Sequence, residues 1–235
     1  GYRYFETIPG AAEKVVYPFG YGLSYTTFDV ETVSAGVVNS NCTSEANKLY
    51  AKVRVTNTGK FSGKEVVQVY IAKPQGKLGK PAKELAAFEK TRELQPGESQ
   101  LMILTWEIND MASYDDLGKV KKSAYVLEAG SYDIYVGTSV RDVTKADYSY
   151  ILNHDVIIEQ LSAKLVPTSL PKRMLADGSY EALPQSEPVD TDYSAIGNID
   201  PSLTEAVAPC QRAIPYFRFA DGMPKNGSHD IMDVV

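Results

Sequence analysis

The stretch KLYAKVRVTNTG, residues 48–59, decides the fold because its apolar and polar side chains alternate. The apolar set is Leu49, Ala51, Val53 and Val55, and the polar set is Lys52, Arg54 and Thr56. Successive side chains of a strand point to opposite faces, so a period of two residues indicates a strand with one buried face. The stretch therefore predicts a β-strand that lies on a hydrophobic core.

The same alternation recurs along residues 29–158, between short segments rich in turn-forming residues such as Gly59, Gly63, Gly97 and Gly130. The β-rich runs are TTFDVETVSAGVV, KLYAKVRVTNTG, KEVVQVYIA, KELAAFEKTREL, QLMILTWEI, GSYDIYVGTS and DYSYILNHDVII. About seven short strands over about 130 residues predict an all-β sandwich. Trp106, in the fifth run, fits the strand alternation, and we expect it in the core or an interface.

The composition excludes several partner classes. The 235 residues are 43% apolar and carry a formal charge of -6, without clusters of Lys and Arg. We therefore expect no nucleic-acid partner, and no apolar run approaches the roughly 20 residues that a membrane-spanning helix needs. Cys42 and Cys210 are too few and too far apart to indicate a disulfide framework or a metal site. We expect neither a metal nor a cofactor.

Beyond residue 158 the composition changes. Residues 160–235 contain eight of the thirteen prolines and show no sustained period of either kind. Because the residue before a proline disfavours helix, we expect residues 159–235 to form an irregular, proline-rich connector or arm. The segment IPYFRF, residues 214–219, is apolar enough to need a partner surface.

Five blocks, in this order, carry a family resemblance: GYRYFET, YPFGYGLSYTTF, VRVTNTGKFSGKEVVQVYIAKP, PAKELAAFEKTRELQPGES and YVLEAGSYDIYVGTS. Together they resemble the fibronectin type III-like domain of glycoside hydrolase family 3, which includes β-glucosidases and β-xylosidases. The resemblance implies a seven-stranded immunoglobulin/fibronectin III-like β-sandwich at residues 29–158. It also implies that residues 1–28 are a junction from an α/β sandwich domain, and that residues 159–235 are similar to the connector of members with permuted domain order.

Residues 17–28, YPFGYGLSYTTF, carry five large rings close together: Tyr17, Phe19, Tyr21, Tyr25 and Phe28. The resemblance implies that this segment leads from the α/β sandwich domain into the β-sandwich. We therefore expect the five rings to form a strip on which two domains dock, with Gly20 and Gly22 allowing tight turns of the backbone. Two alternatives stay open: the rings could belong to the sandwich core, or they could stack on sugar rings.

The sequence offers no convincing catalytic residue. A retaining glycosidase needs two carboxyl groups about 5 to 5.5 Å apart, and the resemblance implies that a barrel domain and the α/β sandwich domain supply them. Asp192 in DTDYSAIG resembles the family's nucleophile neighbourhood, but the preceding PQSEPVD cannot be a buried parallel strand. Asp115 and Asp116 are expected in a solvated turn, and His154 and His229 lack a nucleophile context.

The resulting interpretation is a non-catalytic structural module of a family 3 β-glycosidase that braces the catalytic domains. Its implied partners are the catalytic barrel and the α/β sandwich domain of a parent enzyme, and we expect this segment alone to be inactive. The alternative is a free-standing carbohydrate-binding or adhesion module. Localisation stays open, with the cytoplasm slightly favoured over secretion.

Overall fold

Two antiparallel sheets form the framework of the protein, whose computed structural model describes residues 1–38, 47–162 and 170–183. One sheet has the strand order β1-β2-β5 and the other β4-β3-β8-β9. A small third sheet has the order β10-β7-β6, and β11 pairs with β12. The strands are β1 Phe28–Val37, β2 Lys48–Asn57, β3 Val66–Ala72, β4 Glu84–Lys90, β5 Ser99–Glu107, β6 Ser113–Asp115, β7 Ala124–Leu127, β8 Gly130–Gly137, β9 Val143–Leu152, β10 Val156–Gln160, β11 Lys172–Met174 and β12 Tyr180–Ala182.

The helical elements are short. A helix α1 spans Tyr2–Phe5, and 3-10 helices span Ala12–Lys14 and Asn109–Met111. None of the helices in the described ranges is long and apolar enough to cross a membrane.

The alternation of β2 is confirmed residue by residue. Its four apolar side chains are fully buried in the core, whereas Arg54 is exposed on the outer face. The core lies between the two main sheets and includes Trp106, as the strand alternation predicts. Within the described part of the chain these two sheets contain seven strands, and the prediction of an all-β sandwich is therefore confirmed.

Strand β3 departs from the expected pattern because both of its faces are buried. Val67, Val69 and Ile71 face the core, but Gln68 and Tyr70, on the outer face, are also almost fully buried. The segment before β1, residues 1–27, which we call the leader, covers this outer face. The sandwich thus has a third layer over part of its four-stranded sheet.

The small third sheet was not predicted. Strands β6 and β7 contain only three and four residues, too few for an alternation to be recognised. Strand β10 was expected to continue the run that forms β9, but the chain turns between them at residues 153–155.

The connector expected to be irregular contains an ordered hairpin, β11-β12. Arg173 of β11 donates to Asp116 Oδ1 at 2.8 Å and to Glu181 Oε1 at 2.6 Å, and Lys119 Nζ donates to Glu181 Oε2 at 2.6 Å. A Cβ added at Gly178, in the hairpin turn, would lie 3.5 Å from Cγ2 of Ile8. The expectation of irregular structure is therefore wrong for residues 172–182, which these ion pairs hold in place.

Asp115 does not lie in a solvated turn, as the sequence suggested. Its side chain is fully buried, because the following loop folds around it. Oδ1 accepts hydrogen bonds from the backbone N–H groups of Gly118 and Lys119, at 2.7 and 3.1 Å, and Oδ2 from those of Val120 and Lys121, at 2.7 and 2.8 Å. Burial raises the pKa of Asp115, but the four N–H donors together outweigh burial and hold the pKa below its usual value.

We predict that Asp115→Asn lowers the free energy of unfolding at pH 7 by about 2 to 3 kcal/mol, because an amide nitrogen cannot accept from backbone N–H groups. The folded-state pKa of Asp115 lies below its unfolded value. Its contribution is therefore complete above about pH 4 and is lost as the pH falls through the folded-state pKa. Urea unfolding at pH 7 and at lower pH should show a shallower acid-side loss of stability for the variant.

The matched control is Asp110→Asn, which changes an exposed aspartate. It should leave the free energy of unfolding unchanged within experimental error, both at pH 7 and at lower pH. Identical pH profiles for Asp115→Asn and the unsubstituted protein would contradict this role of Asp115.

Candidate domain-docking surface

The leader begins with a ring contact on the four-stranded sheet. The ring of Tyr2 stacks on that of Phe19, with centroids 4.3 Å apart, and meets the ring of Tyr70 edge-on at 6.3 Å. The backbone N–H of Leu85, in β4, donates to Tyr2 Oη at 2.9 Å. Three rings from the leader and β3 therefore form one packed cluster. Burial raises the pKa of Tyr70, with smaller contributions from Tyr2 and Glu6, so its hydroxyl is neutral and can donate.

The side-chain amide of Gln68 joins the leader to β3 and to the β8–β9 turn. Gln68 Nε2 donates to the carbonyl oxygens of Gly20, at 3.2 Å, and Thr138, at 2.5 Å. Gln68 Oε1 accepts from Tyr70 Oη at 2.5 Å. A Cβ at Gly20 would lie 2.1 Å from Gln68 Oε1, and Gly20 has a φ of +82°, so only glycine suits this position. The expected tight turn occurs at Gly20, whereas Gly22 has no positive φ.

Charged side chains hold the first part of the leader. Arg141, after β8, donates from Nε to both carboxylate oxygens of Glu6, at 3.0 Å each, and from Nη2 to Glu6 Oε1 at 2.8 Å. Lys73 Nζ lies 2.5 Å from Glu84 Oε2, and Arg3 Nη1 lies 3.5 Å from Glu84 Oε1. Burial lowers the pKa of Lys73, and Glu84 counteracts part of that shift. The leader is thus held on the sandwich in its first half through Glu6 and in its second half through Gly20.

The five predicted docking rings divide into four exposed rings and one that packs on the core. Phe28 is half-buried against the core because it begins β1 in the inward phase, with Val30. The rings of Tyr17 and Tyr21 stack with centroids 5.4 Å apart and an interplanar angle of 25°. The exposed fractions are 71% for Tyr17, 42% for Phe19, 48% for Tyr21 and 97% for Tyr25.

Two aliphatic side chains widen this exposed surface. Val16 and Leu23, in the same segment, are both largely exposed. We call residues 16–25, with these six apolar side chains, the aromatic strip. The four rings alone expose about 500 Å², which is near the size of the largest apolar patch on a typical monomer. Exposed apolar area of this size on one short segment favours an interaction site.

The other sequence candidates are not brought together. The carboxylate of Asp115 accepts hydrogen bonds from the loop after β6, and His154 is exposed between β9 and β10. Asp192, His229, Cys42 and Cys210 lie outside the described residues, as does the segment 214–219. Across the described ranges no group of three His, Cys, Asp or Glu residues is arranged to hold a metal ion.

Among the described residues the most buried ion pair joins Lys80 to Glu128, and no sequence pattern predicts it. Lys80 Nζ also donates to the carbonyl oxygen of Pro74 at 2.8 Å. Glu128 accepts from the backbone N–H groups of Lys77, at 2.5 Å, and Leu78, at 3.1 Å. Each charge is therefore compensated by a partner and by backbone groups, as a buried pair requires. The pair fixes the loop before β4 and has no free carboxylate oxygen for chemistry.

The residues that hold the leader, above all Gln68 and Arg141, were also missed by the sequence reasoning. Gln68 occupies the outward phase of β3, where a polar residue normally faces water. The one available signal was Tyr70, a large ring in the same phase, which suggested that something covers this face.

Comparisons with known proteins agree with this architecture. Residues 65–140 match the family model of the fibronectin type III-like domain. The chain is similar to β-glucosidase A of Butyrivibrio fibrisolvens, with 61% identity over 204 residues that cover 83% of this chain and 24% of that protein. It is also similar to a β-glucosidase of Ruminococcus albus, with 43% identity over 191 residues that cover 80% of this chain and 19% of that protein.

Solved structures of β-glucosidases also match this chain. A β-glucosidase from Paenibacillus barengoltzii matches 85% of this chain and 22% of its own, with 41% identity and a TM-score of 0.72. β-Glucosidase 3B from Thermotoga neapolitana, in complex with α-D-glucose, matches 68% of this chain and 20% of its own, with 38% identity and a TM-score of 0.57. The chain therefore spans about a quarter or less of the length of these relatives.

We predict that Gln68→Ala releases the leader while the sandwich stays folded. The change leaves the hydroxyl of Tyr70 and the carbonyl of Gly20 without a partner, which costs about 1 to 3 kcal/mol in a buried site. Hydrogen exchange should therefore speed up at the amides of residues 2–21 and remain slow in β2.

The control is Arg54→Ala, which removes an exposed ion pair with Glu31 and should alter neither region. Equal acceleration in the leader and in β2 would mean that Gln68 supports the whole sandwich rather than the leader.

Proposed function

Because this chain contains a fibronectin type III-like domain of the kind found in family 3 β-glucosidases, we propose that it is a non-catalytic docking module. In this proposal the chain belongs to a longer β-glucosidase-like polypeptide. The aromatic strip packs against a catalytic domain of that polypeptide, either the barrel or the α/β sandwich domain, and the module braces it. The hydrolysis of β-glucosides is assigned to the rest of the polypeptide.

One observation carries the proposal: four large rings are exposed on a leader that is itself fixed to the sheet. The ion pair of Glu6 with Arg141 and the amide of Gln68 hold the leader on the sandwich through contacts within this chain. An ordered surface loses little conformational freedom when it binds, which favours association. A segment that merely lacked structure would present no such ordered rings.

The size of the aromatic strip fits a folded protein domain. With Val16 and Leu23 the strip exposes about 800 Å², which equals the area that each partner buries in a standard specific interface. Burial of this surface would contribute about 20 kcal/mol before the costs of association and ordering are subtracted. A single sugar ring would cover only a small part of it.

The carboxylates support a structural role for this part of the chain. Within the described part of the chain the two most buried carboxylates are those of Asp115 and Glu128, and they accept hydrogen bonds from backbone N–H groups and from Lys80. A glycosidase needs a nucleophile or base and a proton donor that both face a sugar pocket. Since the relatives are four to five times longer than the matched segment, their remaining sequence offers room for those groups.

A second candidate function is carbohydrate binding by a module that acts alone. The near-parallel rings of Tyr17 and Tyr21, together with the almost fully exposed Tyr25, favour this possibility, because exposed aromatic faces also stack on pyranose rings. The two functions differ in what the exposed rings contact, and variants of these rings distinguish them.

The isolated chain should not hydrolyse aryl β-glucosides or aryl β-xylosides, because the proposal assigns the two catalytic carboxyl groups to the rest of the polypeptide. The measurement is release of the aryl alcohol by the purified chain, compared with a heat-killed sample. Turnover above that background, lost in Asp192→Ala, would show that the chain is itself an enzyme.

We predict that Tyr17→Ala combined with Tyr25→Ala lowers the melting temperature of the longer polypeptide but leaves that of the isolated chain unchanged. Both rings are exposed in the isolated chain, where the substitutions remove only the exposed stacking of Tyr17 on Tyr21, so the main loss of contacts occurs where a partner domain covers them. The measurement is thermal unfolding of both proteins, with and without the two substitutions.

Phe28→Ala is the matched control, because Phe28 packs on the core and its loss should destabilise both proteins. Equal destabilisation of both proteins by the tyrosine variant would contradict docking. Binding of soluble glucans by the isolated chain that is lost in the variant, with both melting temperatures unchanged, would favour carbohydrate binding.

A further inference from the structure

We propose that Phe88 of β4 extends the aromatic strip and is an anchor for the same partner domain. This inference rests on the proposed docking function and adds a residue from a second part of the chain. The partner to which we commit is another folded domain of the longer polypeptide.

The register of the four-stranded sheet places Phe88 beside the leader. Phe88 is the direct antiparallel partner of Gln68, so both side chains lie on the outer face. Gln68 in turn donates to the carbonyl oxygen of Gly20, between Phe19 and Tyr21 of the strip. Directly opposed side chains in such a pair have Cβ atoms about 4.5 to 5.5 Å apart. The strip and Phe88 therefore form one surface, with the buried amide of Gln68 between them.

Phe88 is unusually exposed for a phenylalanine on a sheet. Its exposed fraction is 69%, although the neighbouring positions Gln68 and Tyr70 on the same face are covered. The leader covers this face of β3 and reaches the first residues of β4, where the backbone N–H of Leu85 donates to Tyr2 Oη, but it leaves Phe88 exposed. Among the described strands β4 pairs with β3 alone and forms the edge of the sheet. A large ring beside an already ordered apolar surface is the arrangement found at the centre of protein interfaces.

The shape of the combined surface favours a folded domain as its occupant. The leader and β4 are both fixed to β3, by Gln68 and by the strand pairing, so their spacing is set before any partner binds. With Phe88 the exposed apolar area reaches about 900 Å², which is in the range for one side of a specific protein interface. More than three quarters of each compared β-glucosidase lies outside the segment that matches this chain, which leaves ample length for such a domain in the longer polypeptide.

Hydroxyl-radical footprinting of the longer polypeptide and of the isolated chain tests the inference directly. We expect the oxidation of Tyr25 and of Phe88 to fall severalfold in the longer polypeptide. Ile103, which is 59% exposed on the opposite sheet, is the internal control and should be oxidised equally in both. Protection of Tyr25 without protection of Phe88 would overturn the inference and leave the docking proposal intact. Protection of neither would overturn both.

A variant measures the contribution of Phe88. In the longer polypeptide, Phe88→Ala should accelerate hydrogen exchange at residues 16–25 by roughly tenfold, since loss of an interface anchor weakens docking by about that factor. Ile103→Ala should have no such effect. Unchanged exchange in Phe88→Ala would overturn the inference. So would equal acceleration in the isolated chain, because Phe88 would then support the leader rather than contact a partner.

Discussion

The buried amide of Gln68 determines how the leader lies on the sandwich, and the exposed rings depend on that position. An amide withdrawn from water must have its donors and its acceptor satisfied, and here Gly20, Thr138 and Tyr70 do so. The close approach is possible only because Gly20 has no Cβ. The contact of Gln68 with Gly20 therefore fixes the backbone between Phe19 and Tyr21, and the stacking of these rings on Tyr2 and Tyr17 completes their placement.

The sandwich could be predicted from local patterns, whereas its third layer could not. On β2 the inward and outward sets are those that the alternation indicates, because a strand on a core has a period of two. On β3 the same rule predicts that Gln68 and Tyr70 face water. They are buried by residues about fifty to seventy positions earlier in the chain, and a local period contains no information about so distant a contact.

Asp115 and Phe28 illustrate two further limits. The residues after Asp115 have the composition of a solvated turn, and only the convergence of four backbone N–H groups makes the carboxylate a buried centre of the loop. Phe28 was grouped with the docking rings because it adjoins them, but its phase with Val30 already assigned it to the core side of β1. The alternation of β1 thus indicates that Phe28 faces the core. The sequence around Asp115 contains no such pattern that indicates its burial.

The way the leader is held has a consequence for synthesis on the ribosome. Glu6 pairs with Arg141, and Ile8 lies beside Gly178, so these two partners are made more than a hundred residues after the leader, whereas Gln68 of β3 is made earlier. At about 5 to 20 residues per second, the leader waits on the order of ten seconds for the residues that follow β8 and for the hairpin. During that interval the nascent chain presents a short aromatic segment that a chaperone can bind. Once β8, Arg141 and the hairpin have been made, part of this segment packs on the sandwich and is no longer available to a chaperone.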